Sequence, residues 1–507
     1  MTAQLFPIPL VAPGFRGLNK SQAGALLGPD WATELKNVVF DNAGRVALRK
    51  GWADQTDPDI SSTPDIDQMA EFVKSDETVE VILAAGNNLY SGISNPTDKT
   101  GTLTPSGDDW QFLNFNDKII GIQDGETPIV YTGTGNFADI VAGSGSLPTG
   151  GIGASVFGRL WIVDSDGVTI KYSGLLDETD WGSASAGSID MKNVWTSGTD
   201  SVQAITGFGG HLVVFGKNHI VFWADGQGNV LGLDPTNMIV MDTIEGTGCI
   251  ARDTVQSVGE GDVWFLSRNG VQSLQRALTN KANPVDTISK NISRYLKDFV
   301  DDEDATKIRS TWNPVEKFYL LLLPTSSRIF CFDGPFLMED GSARVTEWDQ
   351  FTSKSLLTRR DNTLLFGFDG KVGKYQGYLD NASAYRLVYQ SPWLDMGPEL
   401  NSRTKIFKSV RVLNFAAPSH DLVVKWGFDF NPNQFSISKT FSTSASAEWS
   451  ISEWNLGEWS GGTILRASNF PAKGTGQYIQ VTLETEANNS AFAIQQIDLI
   501  NKLGRLV

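Results

Sequence analysis

The sequence predicts an all-β protein built around a β-propeller of about seven blades. Three observations predict this fold: a hairpin pattern that recurs along the chain, a composition of 51 glycines and 15 tryptophans that suits short aromatic-rich strands, and a scarcity of helical periodicity. With 507 residues, the chain exceeds what one compact core usually serves. We therefore expect two or three domains.

The recurring pattern is a run of four or five mostly apolar residues, a short polar turn and a second strand-like run. The seven copies of the pattern begin at Val81, Ile119, Leu160, Leu212, Val263, Tyr319 and Leu364. Successive copies therefore begin 38 to 56 residues apart. A four-stranded blade needs about 40–50 residues, and turns such as Asn269-Gly270 readily supply positive φ angles. Seven unrelated hairpins in stacked sandwiches are the alternative, but the even spacing favours a propeller.

Three regions differ in character, and we expect them to be three domains. Residues 1–52 form an N-terminal docking arm, residues 53–385 form the propeller with a helical insertion near 286–305, and residues 386–507 form an antiparallel β-sandwich. The last region alternates apolar and polar residues at period two in KIFKSVRVLNF, DLVVKWGFDF, GQYIQVTLETE and AFAIQQIDLIN.

The inserted helix is predicted from an apolar stripe at helical spacing. The stripe consists of Ile288, Ile292, Tyr295, Leu296 and Phe299, and Thr287 or Asp286 could cap its start. The acidic run at residues 301–304 that follows is expected to be a solvated loop, since adjacent like charges repel.

The first fifty residues combine a Pro- and Gly-rich start with a cationic segment. We expect a short helix from Trp31 to Leu35, then a strand and a turn around Asp41 to Gly44. Such a segment could dock onto a neighbour, or it could be an irregular first strand that closes the propeller.

The formal net charge of −17 is unevenly distributed. Residues 101–200 hold four Lys/Arg against thirteen Asp/Glu. A strongly acidic protein does not bind nucleic acid by neutralising phosphates over its whole surface. The acidity could line a channel through which DNA slides without sticking, or it could simply keep a large surface soluble.

The cysteines and the N-terminus indicate the compartment. Cys249 and Cys331 are too few for a disulfide framework and are expected to be buried free thiols, consistent with folding in a reducing cytoplasm. The apolar N-terminus lacks a basic start, and the longest purely apolar run, FYLLLL from Phe318, has six residues. We therefore predict a soluble protein without membrane insertion.

No strong catalytic, cofactor or metal pattern is present. The sequence has no P-loop, HExxH, CxxC or GxSxG motif. His211 and His219 flank one hairpin and could approach each other, but a metal site would need further ligands. Ser165 to Thr169 is at best a broken Asp-box, and Asp164 with Asp166 specifies too few oxygens for calcium.

Three tryptophans lie five residues apart in the C-terminal region, at Trp449, Trp454 and Trp459. Five-residue spacing fits neither strand nor helix, so the rings need not share a face. A distal carbohydrate-stacking surface is one interpretation, and packing under a long loop or a subunit contact is the other.

The order of these features resembles the tail hub or nozzle proteins of short-tailed bacteriophages, including the packaged-DNA stabilisation proteins. The residues that carry the resemblance lie between 15 and about 380. They include Gly17 to Asn19, Arg49-x-Gly51-Trp52, the block ITGFGGHLVVFGKNHIVFWADG, the block IEGTGCIARDTVQSVGEGDVWFLSRNGVQSL, and WNPVEKFYLLLLP with RIFCFD. The C-terminal β-sandwich resembles that family only in its general type of fold.

The resemblance implies a structural virion protein that is made in the host cytoplasm and catalyses no reaction. It implies a homo-hexameric ring below the portal and the adaptor, with about −102 formal charge from six copies of −17. Such a ring continues the DNA channel, retains packaged DNA until ejection and carries tail fibres or a needle. Five basic residues could dock on the adaptor, or they could be scattered side chains that are simply solvated. They are Arg16, Lys20, Arg45, Arg49 and Lys50.

Two other functions remain open on the sequence. A propeller glycoside hydrolase or depolymerase would need paired carboxylates on facing loops. A carbohydrate- or protein-binding propeller would use the tryptophan-rich loop.

Overall fold

β-Strands make up almost all the regular structure in the computed structural model. The described residues are 5–41, 43–105, 109–195, 198–226, 235–259, 261–279, 287–395, 403–416, 420–440 and 465–506. Within these ranges, most neighbouring strands pair antiparallel.

The N-terminal region contributes short strands to several different sheets. These strands are β1 (Phe6–Val11), β2 (Glu34–Lys36), β3 (Val38–Phe40), β4 (Val46–Leu48) and β5 (Trp52–Asp54). The predicted helix from Trp31 to Leu35 is wrong, because Leu35 is fully buried in β2 and its strand pairs with strands on both sides. The predicted strand and turn before Gly44 are confirmed.

Seven small sheets follow in chain order over the described residues. Sheet 1 contains β6 (Ile66–Val73), β7 (Val79–Ala85), β8 (Asn88–Ser91) and β9 (Thr97–Asp98). Sheet 2 contains β10 (Gln111–Phe115), β11 (Lys118–Ile122), β12 (Ile129–Tyr131) and β13 (Ala138–Asp139). A short parallel pair, β14 (Ser144–Gly145) with β18 (Asp180–Trp181), flanks sheet 3, which contains β15 (Gly153–Val156), β16 (Arg159–Val163), β17 (Thr169–Tyr172) and β19 (Gly187–Asp190).

The remaining sheets of this series have the same antiparallel order. Sheet 4 contains β20 (Val202–Phe208), β21 (His211–Gly216), β22 (His219–Asp225) and β23 (Met238–Glu245). Sheet 5 contains β24 (Gln256–Val258), β25 (Asp262–Ser267) and β26 (Gly270–Ser273), followed by α1 (Leu274–Thr279) and α2 (Ser293–Val300). Sheet 6 begins with β27 (Arg309–Asn313), β28 (Phe318–Leu323), β29 (Arg328–Leu337) and β30 (Ala343–Trp348), and sheet 7 joins β31 (Ser355–Thr358), β32 (Leu364–Gly367) and β33 (Val372–Tyr375) to β5.

Apolar clusters fill the spaces between successive sheets. Phe72 of sheet 1 packs with Ile119 of sheet 2, and equivalent clusters join each later pair of sheets. Leu365 of sheet 7 packs with Met69 of sheet 1, so the series closes on itself. The predicted β-propeller is therefore confirmed, with additional sheets, while the count of about seven blades stays a prediction.

The seven predicted hairpins are all present. Each consists of the second and third strand of its sheet, as in β7 with β8 and β32 with β33. These strands read clearly in the sequence because their apolar side chains are buried on both faces. First strands such as β6 and β20 are less completely buried and did not produce the pattern.

The C-terminal region adds two larger sheets. Its strands are β34 (Arg386–Gln390), β35 (Arg403–Ala416), β36 (Asp421–Phe428), β37 (Asn431–Thr440), β38 (Leu465–Pro471), β39 (Thr475–Gly476), β40 (Ile479–Glu486) and β41 (Phe492–Leu506). One sheet has the order β3-β4-β41-β35-β38, with β1 paired to β41 and β39 paired to β35. The four segments of period-two alternation are confirmed as β35, β36, β40 and β41.

The second C-terminal sheet is continuous with sheet 6 of the propeller. Its order is β27-β28-β29-β30-β2-β34-β40-β36-β37, with β2 parallel to β30 and antiparallel to β34. One apolar cluster contains Trp264 and Tyr319 from the propeller together with Val412 and Leu483 from the C-terminal strands. The N-terminal strand β2 therefore connects the propeller and the C-terminal sheets into one hydrogen-bonded unit.

The predicted insertion contains a helix that is shorter than expected. A 3₁₀ turn at Lys290–Ile292 precedes α2, and no side chain caps α2, so the predicted cap at Thr287 is wrong. Asp286 lies outside the described residues. The hydroxyl of Ser289 instead accepts a hydrogen bond from the Val271 amide, which fixes the loop onto β26 before the helix begins.

Both cysteines, Cys249 and Cys331, are buried free thiols, as predicted. Burial raises the pKa of the Cys249 thiol to about 12. Among the described residues, no helix combines the length and the apolar character needed to cross a bilayer.

Candidate functional site

A polar cavity lies where the first strands of the propeller sheets converge. It has a volume of ≈ 280 Å³ and is lined by residues of β6, β10, β20, β24, β27 and β31, together with the turn before β24. The polar lining residues are Gln68, Gln111, Thr206, Arg252, Asp253, Gln256, Arg309, Ser310, Thr311 and Thr358. Because so many first strands contribute, we place this cavity on the propeller axis.

Three of the lining side chains connect neighbouring first strands. The Gln111 amide exchanges two hydrogen bonds with the backbone of Gly153 in β15, at 3.0 and 2.8 Å. Gln256 Nε2 donates to the Ser310 carbonyl at 3.1 Å, and Thr311 Oγ1 donates to Thr358 Oγ1 at 2.9 Å. These hydrogen bonds occupy side-chain donors and acceptors that a ligand in the cavity would otherwise need.

A network of two arginines and two aspartates holds one side of the cavity. Arg252 Nη2 donates to Asp109 Oδ1 at 2.8 Å and to Asp253 Oδ2 at 2.9 Å, and Arg252 Nε donates to Asp253 Oδ1 at 3.0 Å. Arg309 Nη1 lies 3.0 Å from Asp253 Oδ2. The four formal charges balance, so each buried charge of the network has an opposite charge beside it.

The same arginines also bind backbone carbonyls of other sheets. Arg252 Nη1 donates to the Gly151 carbonyl at 2.6 Å, between sheets 2 and 3. Arg309 Nε donates to the Asp67 carbonyl of β6 at 3.3 Å. The network therefore ties together sheets 1, 2, 5 and 6 near the axis.

The two aspartates of this network have opposite pKa shifts. Burial raises the pKa of Asp109, although the positive charge of Arg252 opposes that effect. Burial would also raise the pKa of Asp253, but the charges of Arg252 and Arg309 outweigh it and lower the pKa. Each carboxylate faces a guanidinium group, an arrangement that suits a structural clamp better than acid–base work on a substrate.

The sequence did not identify this network. Arg252 and Asp253 lie in the segment IARDTVQSV, but an Arg-Asp pair before a short strand matches no known sequence motif. Arg309 lies 57 residues after Arg252 in the sequence, and Asp109 lies 143 residues before it. The three side chains come together only when the propeller closes.

The predicted adaptor-contact residues are divided between the interior and the surface. Arg49 is completely buried, and Arg45 is 7% exposed and paired with Asp41 at 2.7 Å. A partner protein could therefore be contacted only by the other three.

Those three residues also have contacts within the chain. Arg16 is exposed and pairs with Asp30 at 2.6 Å, and Lys50 pairs with Glu316 at 2.9 Å. Lys20 Nζ lies 5.3 Å from the centre of the Tyr295 ring. The docking role of this surface stays a prediction.

The other sequence candidates are separated or lie outside the described residues. Trp449, Trp454 and Trp459 all fall in residues 441–464, which are not described. His211 and His219 lie at opposite ends of the β21–β22 hairpin, and His219 Nδ1 lies 2.8 Å from Asp200 Oδ2. Within the described part of the chain, no group of three metal-ligating side chains is brought together.

The segment from Ser165 to Thr169, which resembles a broken Asp-box, is an ordinary hairpin turn. Asp166 accepts hydrogen bonds from the Val168 and Thr169 amides at 3.0 and 2.8 Å. Asp164 pairs with Lys171 at 2.8 Å. Both carboxylates are therefore used within the β16–β17 hairpin.

No protein-family model matches the chain, and no curated protein matches it. Solved structures are similar only at low identity. A streptogramin B lyase is 11% identical with a TM-score of 0.38, covering 64% of this chain and 97% of that one. The WD40 β-propeller domain of Doa1 is 9% identical with a TM-score of 0.36, covering 64% and 96%.

A third similar structure is larger than this chain. The extracellular domain of the putative hybrid two component system BT4673 from B. thetaiotaomicron is 13% identical with a TM-score of 0.41. The match covers 85% of this chain and 62% of that one, so the chain spans less than two thirds of that protein. At these TM-scores, none of the similarities supports a conclusion about function.

Proposed function

We propose that this chain is a structural subunit of the tail hub or nozzle of a short-tailed bacteriophage. Several copies form a ring below the portal and adaptor, continue the DNA channel and retain packaged DNA until ejection. The chain catalyses no reaction and uses no cofactor in this role. The observation that carries the proposal is the continuous nine-stranded sheet that joins the propeller to the C-terminal sheets.

Continuity of that sheet favours a mechanical role. A wall that contains pressurised DNA must transmit force without hinges, whereas separate domains joined by a linker move relative to each other by default. Here β2 is hydrogen-bonded to strands on both sides, and one apolar cluster extends across the junction. A subunit of this kind suits a stiff ring.

The narrow cavity on the propeller axis indicates that any DNA channel lies between copies of the chain and not within one propeller. The axial cavity has a volume of only ≈ 280 Å³, and hydrogen bonds such as that from Gln256 Nε2 to the Ser310 carbonyl join the strands that line it. A duplex cannot enter such a space, and the Arg252–Asp253 clamp holds the surrounding sheets together. A ring of several copies provides a lumen that a single propeller does not.

The charge distribution supports passage of DNA without tight binding. Each phosphate contact that a protein makes adds salt-sensitive affinity, and therefore drag on a moving duplex. With −17 formal charge per chain, of which residues 101–200 contribute −9, an acidic lumen is available.

We infer that each of the seven sheets is one blade. Six of the seven contain four strands in the propeller, with β5 as the fourth strand of sheet 7, and α1 follows the three strands of sheet 5. Each neighbouring pair shares an apolar cluster. This count also agrees with the spacing of the hairpins in the sequence.

The proposed partners follow from the position in a tail. Arg16 and Lys20, which are exposed, together with the half-buried Lys50, provide the cationic surface for the adaptor, and tail fibres or a needle attach elsewhere. The distal role of Trp449, Trp454 and Trp459 remains part of the proposal.

Particles assembled without this protein test the proposal. We expect heads that package DNA but fail to keep it, so that the genome becomes sensitive to added DNase, and complementation with the wild-type chain restores protection. Fully protected DNA in particles that lack the chain would contradict the retention role. Release of reducing ends from host polysaccharide by the purified chain would instead favour the depolymerase hypothesis.

A further inference from the structure

An exposed apolar turn follows β17 and lies beside the β15–β16 turn. The turn Gly174–Asp177 is closed by a bridge between its end residues, and Leu175 and Leu176 are 61% and 54% exposed. Leu176 has a φ of 54°, in the left-handed region. Glycine or asparagine is usual at the third position of such a turn, because a branched side chain there is strained.

A second apolar residue with the same conformation lies beside this turn. Phe157, in the β15–β16 hairpin turn, also has a φ of 54°. The corresponding turns of sheets 2 and 4 use Asn116-Asp117 and Gly209-Gly210, the residue types that left-handed turns favour. Sheet 3 therefore departs from its neighbours by placing large apolar side chains where small or polar ones fold more easily.

The strained backbone is held in place by specific hydrogen bonds. The Leu176 amide donates to the Gly158 carbonyl at 2.8 Å, and Asn116 Nδ2 donates to the Leu176 carbonyl at 2.9 Å. Leu175 and Leu176 are exposed, whereas Phe157 is partly buried and packs against the apolar cluster between sheets 3 and 4. We call Phe157, Leu175 and Leu176 the apolar tip.

Acidic groups surround the apolar tip. The Asp117 carboxylate accepts hydrogen bonds from the Ser75 amide and hydroxyl, which joins the β6–β7 turn to the same surface. The turns at 74–78, 116–118 and 174–178 together hold five carboxylates and two lysines. The Glu178 carboxylate is buried and paired with Lys118, which leaves four carboxylates and one lysine for the surface. A partner for the tip should therefore carry cationic groups.

The chain contains a surface of that opposite charge. The segment Arg403–Arg411 of β35 holds four Lys/Arg and no Asp/Glu, although Lys405 is buried and donates to the Gln477 carbonyl. Lys408 and Arg411 are exposed. On the neighbouring strand β41, Lys502 lies opposite Ile406, and Asp498 lies opposite Arg411 and contributes a carboxylate. We call the outward side of this strand pair the basic face.

We propose that the apolar tip of one copy binds the basic face of a second copy of this chain. Rings require a contact between two different surfaces of the same protein, and the opposite charges of these two surfaces supply both attraction and orientation. The inference rests on the proposed function, because it identifies the subunit contact of the proposed ring. The leucines supply the apolar centre, and the carboxylates around them form the polar rim.

Sedimentation of purified chains over a range of concentrations tests the contact. We expect the double variant L175S/L176G and the double variant K408E/R411E each to weaken self-association by at least about tenfold. Val141→Ser is the matched control, because Val141 is 79% exposed in the same acidic region but lies outside the tip. High salt should weaken the wild-type association, since it screens the opposite charges.

Thermal unfolding separates binding from folding. Leu176→Gly relieves the left-handed strain, so its melting temperature should equal or exceed that of the wild type while self-association falls. A lower melting temperature would indicate that Leu176 is there for folding and would overturn the inference. So would wild-type self-association in L175S/L176G.

The outcomes distinguish this contact from the proposed function. Rings that persist in both double variants would overturn the contact and leave the ring function intact. Closed dimers that both double variants abolish would support the contact and contradict the ring. A wild-type chain that stays monomeric at every concentration would overturn both.

Discussion

Arg49 lies where the N-terminal segment meets the propeller and the C-terminal strands. Its guanidinium donates to both carboxylate oxygens of Asp380 at 2.8 and 2.7 Å and lies 3.8 Å from the centre of the Tyr385 ring. Its Nε also donates to Asn37 Oδ1 at 3.1 Å. One side chain therefore joins segments of the chain that are more than 300 residues apart in the sequence.

Arg49→Ala should destabilise the protein by about 3 kcal/mol, because it leaves Asp380 without its buried partner and removes the stacking on Tyr385. Chemical denaturation followed by tryptophan fluorescence measures the loss. Arg16→Ala is the control, since the exposed pair with Asp30 should be worth less than about 1 kcal/mol. Equal effects of the two substitutions would contradict the structural role of Arg49.

Cys249 provides a prediction about pH. Burial raises the pKa of its thiol to about 12 in the folded state, against about 8.5 in the unfolded chain. Below pH 8.5 both states keep the proton, so its contribution to stability is constant. Above pH 8.5 only the unfolded state loses the proton, and folding stability falls as pH rises toward 12.

The expected slope is about 1.4 kcal/mol per pH unit from this one thiol. Cys249→Ala should reduce the slope of unfolding free energy between pH 9 and pH 10.5 by that amount, measured by urea titration at each pH. A variant with the same slope as the wild type would show that the thiol ionises normally in the folded protein.

At the scale of elements, β2 connects the two parts of the molecule. Its three residues lie between β30 and β34, and Leu35 is fully buried. The sequence predicted a helix here because a three-residue strand has too few residues for a period-two pattern. The pairing depends on strands that lie more than 300 residues away, and local patterns carry no signal for it.

The hairpins show the opposite case. β28 is the six-residue run FYLLLL, completely buried, and its partner β29 follows after one turn. Local composition and a short turn are sufficient to predict such a unit. The axial clamp was not predictable, because Arg252, Arg309 and Asp109 meet only after the propeller has closed.

Leu35→Ala should cost about 3 kcal/mol of unfolding free energy, through lost burial and the cavity left between the sheets. Urea denaturation with both circular dichroism and fluorescence measures it. Leu26→Ala, at a leucine that is 79% exposed, should change stability by less than about 0.5 kcal/mol. A small effect at Leu35 would mean that β2 does not join the two parts of the molecule.

At the scale of the whole molecule, propeller and C-terminal sheets share one apolar cluster and one nine-stranded sheet. Chains of this length usually unfold in several steps, domain by domain. We expect calorimetry to show one main transition instead, because neither part keeps its core when the other unfolds. Two well-separated transitions, with the C-terminal strands melting alone, would contradict this coupling.

The central claim is that this stiff unit forms the wall of a ring-shaped DNA conduit. Electron microscopy of the purified chain, alone and on isolated adaptor–portal complexes, tests it most directly. The account predicts rings of six copies with an open lumen between subunits and a closed axis within each propeller. A chain that remains a monomer and never joins a ring on tail adaptors would contradict the account.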